Sequence, residues 1–378
     1  MKTSIFTRRR RSGAVCLSAT LLGVVGFYGC GGGSSSNGGT GIVSSITGLQ
    51  RIATLSSTVD AQNKDQNPYA IAFAPSVGAA FSGDGNPAHV QPGDLIVSNF
   101  SNAAGTNGAG TTVEAIRNGQ PVRVFSETGA PAAGGGTVNS SGPVTIAFAP
   151  NGNLWIANYG AIGTDGNVQI VSPAGAVNKT FTDSGAVAGW GQAFNGGFGG
   201  KAAFFTVNVS TGVVSRINIV TGYNGQPTFT IDPLTGDLGH SGKDANTAVG
   251  PQGLVHTADD TLYVADGTTN SIIAIPNSTT SGPVQGKVVF QGKPLVQPIG
   301  MTVNPINGNL IVANQGDNNL VEITTSGQVV GTKTVDSTVV NAGAGAALFG
   351  LVAAKDQAGN LTVYFTNDND NTVKVLSK

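Results

Sequence analysis

Past residue 46 the chain repeats one hydrophobic pattern. An apolar run leads into a polar turn, and a second apolar run of about five residues ends in Asn or Asp. The pattern is clearest from Ile146 to Asn158, where the second run is Leu154-Trp155-Ile156-Ala157-Asn158. It returns in Leu262-Tyr263-Val264-Ala265-Asp266 and Leu310-Ile311-Val312-Ala313-Asn314. Weaker copies end at Asn99, Asn208 and Asn367. Short apolar runs bounded by turn residues read as buried strands. The six terminal residues, Asn99, Asn158, Asn208, Asp266, Asn314 and Asn367, are spaced by 59, 50, 58, 48 and 53 positions. Six units of this length, each holding several short strands, predict an all-β six-bladed propeller.

The two ends of the repeat fit a closed ring. The last unit offers three strands, Phe349–Ala353, Leu361–Thr366 and Thr372–Leu376, and lacks a fourth. Leu49–Leu55 at the start of the domain is expected to supply it, which removes an exposed sheet edge. Within the first unit, Ser76 to Asp94 reads as an inserted loop.

Composition agrees with this fold. Gly accounts for 57 of 378 residues and charged residues for only 10%, against about a quarter in ordinary soluble proteins. A chain so poor in Lys, Glu, Arg and Met is neither a helical bundle nor a coiled coil. The formal net charge of −1 hides an asymmetry. Lys2 and Arg8–Arg11 precede residue 30 with no acid among them, so the remainder holds 14 of the 19 basic side chains against 20 acidic ones, a net charge of −6. No basic stripe is left to neutralise phosphates, and a nucleic-acid partner is not expected.

Residues 1–29 read as an export signal: the cationic start, an apolar stretch from Ala14 to Tyr28, then Gly29-Cys30. Cys30 stands where lipoprotein processing leaves an acylated N-terminal cysteine. Residues 30–45, rich in Gly and Ser, read as a flexible tether. The other cysteine, Cys16, lies inside the signal, so the domain over residues 46–378 has no thiol chemistry. The expected location is the cell envelope, with the membrane as a partner through Cys30, or secretion if cleavage leaves no lipid.

Three turns carry a family likeness: Asp266-Gly267-Thr268-Thr269-Asn270, Asn314-Gln315-Gly316-Asp317-Asn318 and Asn367-Asp368-Asn369-Asp370-Asn371. With the apolar run before each, they resemble the blades of the NHL-repeat family. Residues 48–378 are similar to a group of secreted bacterial NHL-type lipoproteins. The resemblance implies the six-bladed fold and is silent on chemistry.

The six Asn/Asp residues are assigned to turn structure, because short acceptors entering tight turns bond backbone N–H groups two or three residues on. The turn Asp368-Asn369-Asp370 is short for a Ca²⁺ cage, and no cofactor is expected. Writing the units in register puts Tyr69, Val144, Trp190, Gln252, Ile299 and Phe349 where the innermost strands begin, at the mouth of the channel. Tyr69, Trp190, Gln252 and Phe349 are the ligand-binding candidates, suited to a sugar ring or an apolar group, unless the aromatic rings simply plug the channel.

Gluconolactonase-type and streptogramin-lyase propellers resemble this fold and use a metal with carboxylates or a histidine. The six mouth positions hold no carboxylate. Of His89, His240 and His256, the first is read as solvated and the last as packed in the core. His240, in Asp237–Asp244, is the candidate base. The favoured function is therefore an anchored binding or scaffold propeller for a glycan, peptide or protein partner. The alternative is a metal-assisted hydrolase or lyase.

Overall fold

The second strand of each unit is buried almost throughout; Leu154–Asn158, Leu262–Asp266 and Leu310–Asn314 are buried at every position. A strand apolar on both faces needs a sheet on either side, which a ring of blades supplies. Outer strands such as Val329–Thr334 instead show side chains to solvent.

The computed structural model describes residues 45–126, 142–159, 166–183, 189–195, 202–209, 211–222, 226–235, 238, 249–280 and 282–378, with the backbone of 130–131 and 137–138. Cys16, Cys30, the export signal, nearly all of the tether and His240 lie outside the described residues.

Six four-stranded antiparallel sheets form the ring. In chain order their innermost strands are Gln66–Phe73, Pro143–Phe148, Gly189–Phe194, Pro251–His256, Pro298–Val303 and Leu348–Lys355. Each packs on the innermost strands of its two neighbours, the sixth on the first. Arg51–Ser57 pairs antiparallel with Thr372–Ser377 and completes the sixth blade. The closing strand thus starts two residues later than the sequence predicts. Leu49 instead follows a single helical turn, Ile46–Gly48, capped by the Ser45 hydroxyl. That turn is held by a buried carboxylate: Glu322 accepts the Ile46 N–H at 3.0 Å and the side-chain amides of Asn304, Asn307 and Asn309 at 2.9–3.1 Å.

Two devices draw the blades together. The first is glycine beside the axis. A Cβ on Gly300 would lie 2.1 Å from the Phe349 carbonyl oxygen, and one on Gly350 would lie 2.3 Å from that of Tyr69. The second device is the Asn that ends each NHL-like turn. Asn270, Asn318 and Asn371 sit at positive φ, a conformation Asn tolerates. Their side-chain oxygens accept the N–H of Gln297, Ala347 and Asn67, in the next blade, at 2.6, 2.8 and 2.7 Å.

The close approach at the axis is testable. Gly300→Ala should destabilise the domain by about 1–3 kcal/mol through overpacking against backbone that cannot yield. Gly48→Ala, whose Cβ meets nothing within 4 Å, should leave the melting midpoint unchanged. Equal midpoints for the two variants in thermal unfolding would refute close contact of the inner strands.

Candidate functional site

Every innermost strand carries the same irregularity. The residue opposite the ring Asn or Asp pairs regularly: Pro68 with Asn99, Pro143 with Asn158, Gly189 with Asn208, Pro251 with Asp266, Pro298 with Asn314 and Leu348 with Asn367. Immediately after it the register slips, beginning with Tyr69, Val144, Trp190, Gln252, Ile299 and Phe349; in blades one, three and six the next residue, Ala70, Gly191 or Gly350, is unpaired too. A bulge re-aims one side chain, and all six line one axial cavity of about 110 Å³. The alignment of mouth positions read from the sequence is therefore the alignment found in the fold, Trp190 of the divergent third unit included.

The mouth is an aromatic floor. Tyr69 stacks on Phe349 with ring centroids 3.9 Å apart, meets Phe100 at 4.4 Å and stands edge-on to Trp190 at 5.5 Å. Tyr159 meets Trp190 at 5.0 Å. Tyr69, Trp190, Gln252 and Phe349 are only 3–7% exposed, so the stacked faces are spent on one another. The cavity beneath is smaller than the ~150 Å³ that takes a benzene. A sugar ring does not fit inside the channel.

A second ring, missed in the sequence, decides the shape above this floor. It consists of the residue after each Asn or Asp: Phe100, Tyr159, Val209, Gly267, Gln315 and Asp368. Tyr159, Gly267, Gln315 and Asp368 share one backbone bond, each N–H reaching the carbonyl just before its blade's innermost strand at 2.9–3.0 Å. In the first three blades the ring residues Phe100, Tyr159 and Val209 are fully buried over the mouth. The last three blades present no side chain at Gly267 and only part-buried polar ones at Gln315 and Asp368. The mouth is thus roofed on one half and polar on the other. The signal was available: the six repeats in register put these residues in one column.

Asp368 is the chemically unusual group there. Burial pushes its carboxyl up to about 6, and among the described residues it accepts no hydrogen bond and meets no cation. Burial raises the neighbouring Tyr69 phenol well above its ordinary value, and the Asp368 charge raises it further. Elsewhere buried acids are compensated. Burial pushes Asp60 up, but Arg123 and backbone N–H groups outweigh it and hold it at about 2. Glu114 is the other exception: burial, then Asp60 beside it, pushes it up to about 9, and it is held as the neutral acid.

The remaining candidates fall into packing roles. His256 stacks on Phe205 and lies 3.0 Å from Asp260 Oδ1. His89 is part-buried rather than solvated, with Nδ1 2.8 Å from Asp84 Oδ2, because Arg117 binds Asp94 and the His89 carbonyl and folds the insertion down. Asp370 pairs with Lys374 at 2.6 Å, away from Asp368. The ring Asn/Asp side chains behave as expected only in part. Asn208 and Asp266 accept N–H groups of Thr211 and Thr268. Asn99, Asn158, Asn314 and Asn367 donate instead, to the Thr58 carbonyl, Asn167, the Pro294 carbonyl and Asp336. In those four the bond is to an acceptor in an adjoining loop or strand.

Among the described residues no three His, Cys, Asp or Glu side chains gather in a way that could hold a metal ion. The six mouth side chains, with one amide among them, do not fit a metal centre of the lactonase or lyase kind.

No protein-family model matches the sequence, and no curated protein matches it either. Solved propellers are similar in shape. Virginiamycin B lyase from Staphylococcus aureus superposes with a TM-score of 0.49 at 15% identity, over 87% of this chain and 99% of that one. A calcium-binding protein, regucalcin, from Agrobacterium tumefaciens gives 0.49 at 12% identity, over 85% and 93%. A protein of unknown function from Bacteroides thetaiotaomicron gives 0.48 at 12%, over 86% and 75%. At these values no residue role transfers.

An acid raised in the folded state binds more protons folded than unfolded between its two pKa values, so its charge destabilises the fold above them. Asp368→Asn should therefore raise stability at pH 8 by roughly 1–3 kcal/mol, and the gain should vanish below pH 4. Melting curves of both proteins across pH check this; a variant less stable at pH 8 would show that Asp368 is compensated.

Proposed function

We propose that the protein is an exported, lipid-anchored NHL-type propeller that acts by binding, with a glycan, peptide or protein partner held over the polar half of its mouth. The observation that carries this reading is the asymmetry of that mouth. Three blades cover it with Phe100, Tyr159 and Val209, while the other three hold Gly267 and the part-buried polar side chains Gln315 and Asp368 in the same column, Asp368 near the Tyr69 phenol. Polar groups next to an apolar floor suit recognition of a ligand that has both characters.

The place of Ser45, the first described residue, favours attachment at the face remote from the mouth. Ser45 and Ile46 lie by the turn Asn304–Asn309, at the end of the fifth blade remote from the mouth. Arg51–Ser57 then runs across the sixth blade, and Thr58 reaches Asn371 on the mouth side. A lipid on Cys30 is joined to that remote face by the 14 residues 31–44. On this reading the membrane lies at the remote face, and the mouth points away from it.

Two measurements test the reading. Cys30→Ser should move the protein from the membrane fraction to the soluble fraction. Binding to a glycan array or to a purified envelope partner should fall with Gln315→Ala and survive Gln357→Ala, a change on the opposite face. Binding indifferent to Gln315, or turnover of a lactone that chelator stops, would overturn the binding role; a membrane-bound Cys30→Ser protein would overturn the anchor.

A further inference from the structure

Resting on the mouth-binding reading, we propose that the ligand presents a protonated amine, which Asp368 receives at the open half of the mouth. Apart from Glu114, which is buried and held as the neutral acid, the part-buried and buried acids named below each have a donor or a cation. Asp60 has Arg123, Asp94 has Arg117, Asp260 has His256 and Thr279, and Asp266 has the hydroxyl of Thr269. Glu322, without any cation, collects four N–H donors. Asp65 takes both the N–H and the hydroxyl of Thr111. Among the described residues Asp368 has neither donor nor cation, a cost that folding does not require, and it stands partly exposed to solvent.

Topology shows why it is not an accident of an exposed turn. Asp368 occupies the column that in three other blades holds the fully buried Phe100, Tyr159 and Val209. Its N–H is fixed to the Ala347 carbonyl at 2.9 Å, and Asn367 before it is tied to Asp336. The neighbouring acid Asp370 is already neutralised by Lys374, so the one cation of this hairpin is engaged elsewhere. The carboxylate thus sits on hydrogen-bonded backbone near the Tyr69 phenol, in part-buried surroundings that strengthen attraction to a cation relative to bulk water.

The chemistry selects an organic cation over a metal ion. A hard divalent ion takes six or more oxygen ligands, and this half-mouth offers one carboxylate and the Gln315 amide, with no further acid gathered among the described residues. Aromatic neighbours are poor metal ligands but suit the carbon skeleton and charge of an alkylammonium group. A protonated amine donates up to three hydrogen bonds, to Asp368 and to the Gln315 side-chain oxygen. Amino sugars and lysine side chains both carry that group.

Titration calorimetry on the mature chain separates the outcomes, with glucosamine and Nα-acetyl-lysine amide as amines and their N-acetylated forms as neutral counterparts. Both or one of the amines should bind, the matching neutral compound should bind at least about tenfold more weakly, and Asp368→Asn should weaken amine binding by a similar factor. The variant's melting temperature, equal or higher at pH 8, excludes unfolding as the cause. Amine binding unchanged in Asp368→Asn, or no amine binding at millimolar concentration, overturns the proposal. A neutral compound that binds as well as its amine, independently of Asp368 but lost in Gln315→Ala, overturns the amine and leaves the mouth as the binding site. Binding untouched by both substitutions removes the mouth as well.

Discussion

Everything in this ring depends on six innermost strands meeting at the axis closely enough for backbone to touch backbone. The carbonyls of Phe349 and Tyr69 lie where a Cβ on Gly300 or Gly350 would be. Overpacking there would force the blades apart and open the cores between them. The same closeness leaves little space in the channel. Once Tyr69, Phe349 and Trp190 turn inward from their bulges, aromatic stacking fills what remains, and the axial cavity shrinks to about 110 Å³. The constraint that closes the ring therefore also moves any ligand of ordinary size from the channel to the surface above it.

The fold was legible because its cause is periodic. A strand buried between two sheets is written as an unbroken apolar run, and six such runs at a spacing of about fifty residues leave few alternatives. The mouth positions could be aligned by writing the units in register; that each follows a residue paired with the ring Asn or Asp, at a bulge, is seen only in the fold. The closing strand was misplaced by two residues for a local reason. Leu49 is apolar enough to begin a strand, but the buried carboxylate of Glu322, 276 positions away from Ile46, takes the preceding residues into a turn.

The site was legible only by halves. Residue type and register identified Tyr69, Trp190, Gln252 and Phe349 as mouth residues, yet not that the rings would stack on each other. Stacking depends on the relative tilt of neighbouring blades, and a single repeat does not encode it. Asp368 was read with Asp370 as one acidic turn because the two are adjacent in sequence. In the fold they part company: Asp370 pairs with Lys374, while Asp368 is part-buried near enough to Tyr69 to raise its phenol. His89 shows the same effect, since it is Arg117, 28 positions away, that brings it down from solvent.

The two halves of the ring differ for a reason that links fold to recognition. Blades four to six close on their neighbours through Asn270, Asn318 and Asn371, whose tight turns fix the next blade with one short hydrogen bond each. A tight turn leaves room after the ring residue for Gly267, Gln315 or Asp368, none of which packs over the axis. In the first two blades no such Asn staple is present among the described residues, and Phe100 and Tyr159 bury aromatic area in its place. Replacing Asp368 by a large apolar residue would extend the roof by one blade and add buried area on the order of that contributed by Phe100. Stability alone favours that exchange, and the sequence holds a carboxylate at this position instead. Selection for a packed core does not explain a charge that, among the described residues, is uncompensated; recognition of a cation at the mouth is the role proposed for it.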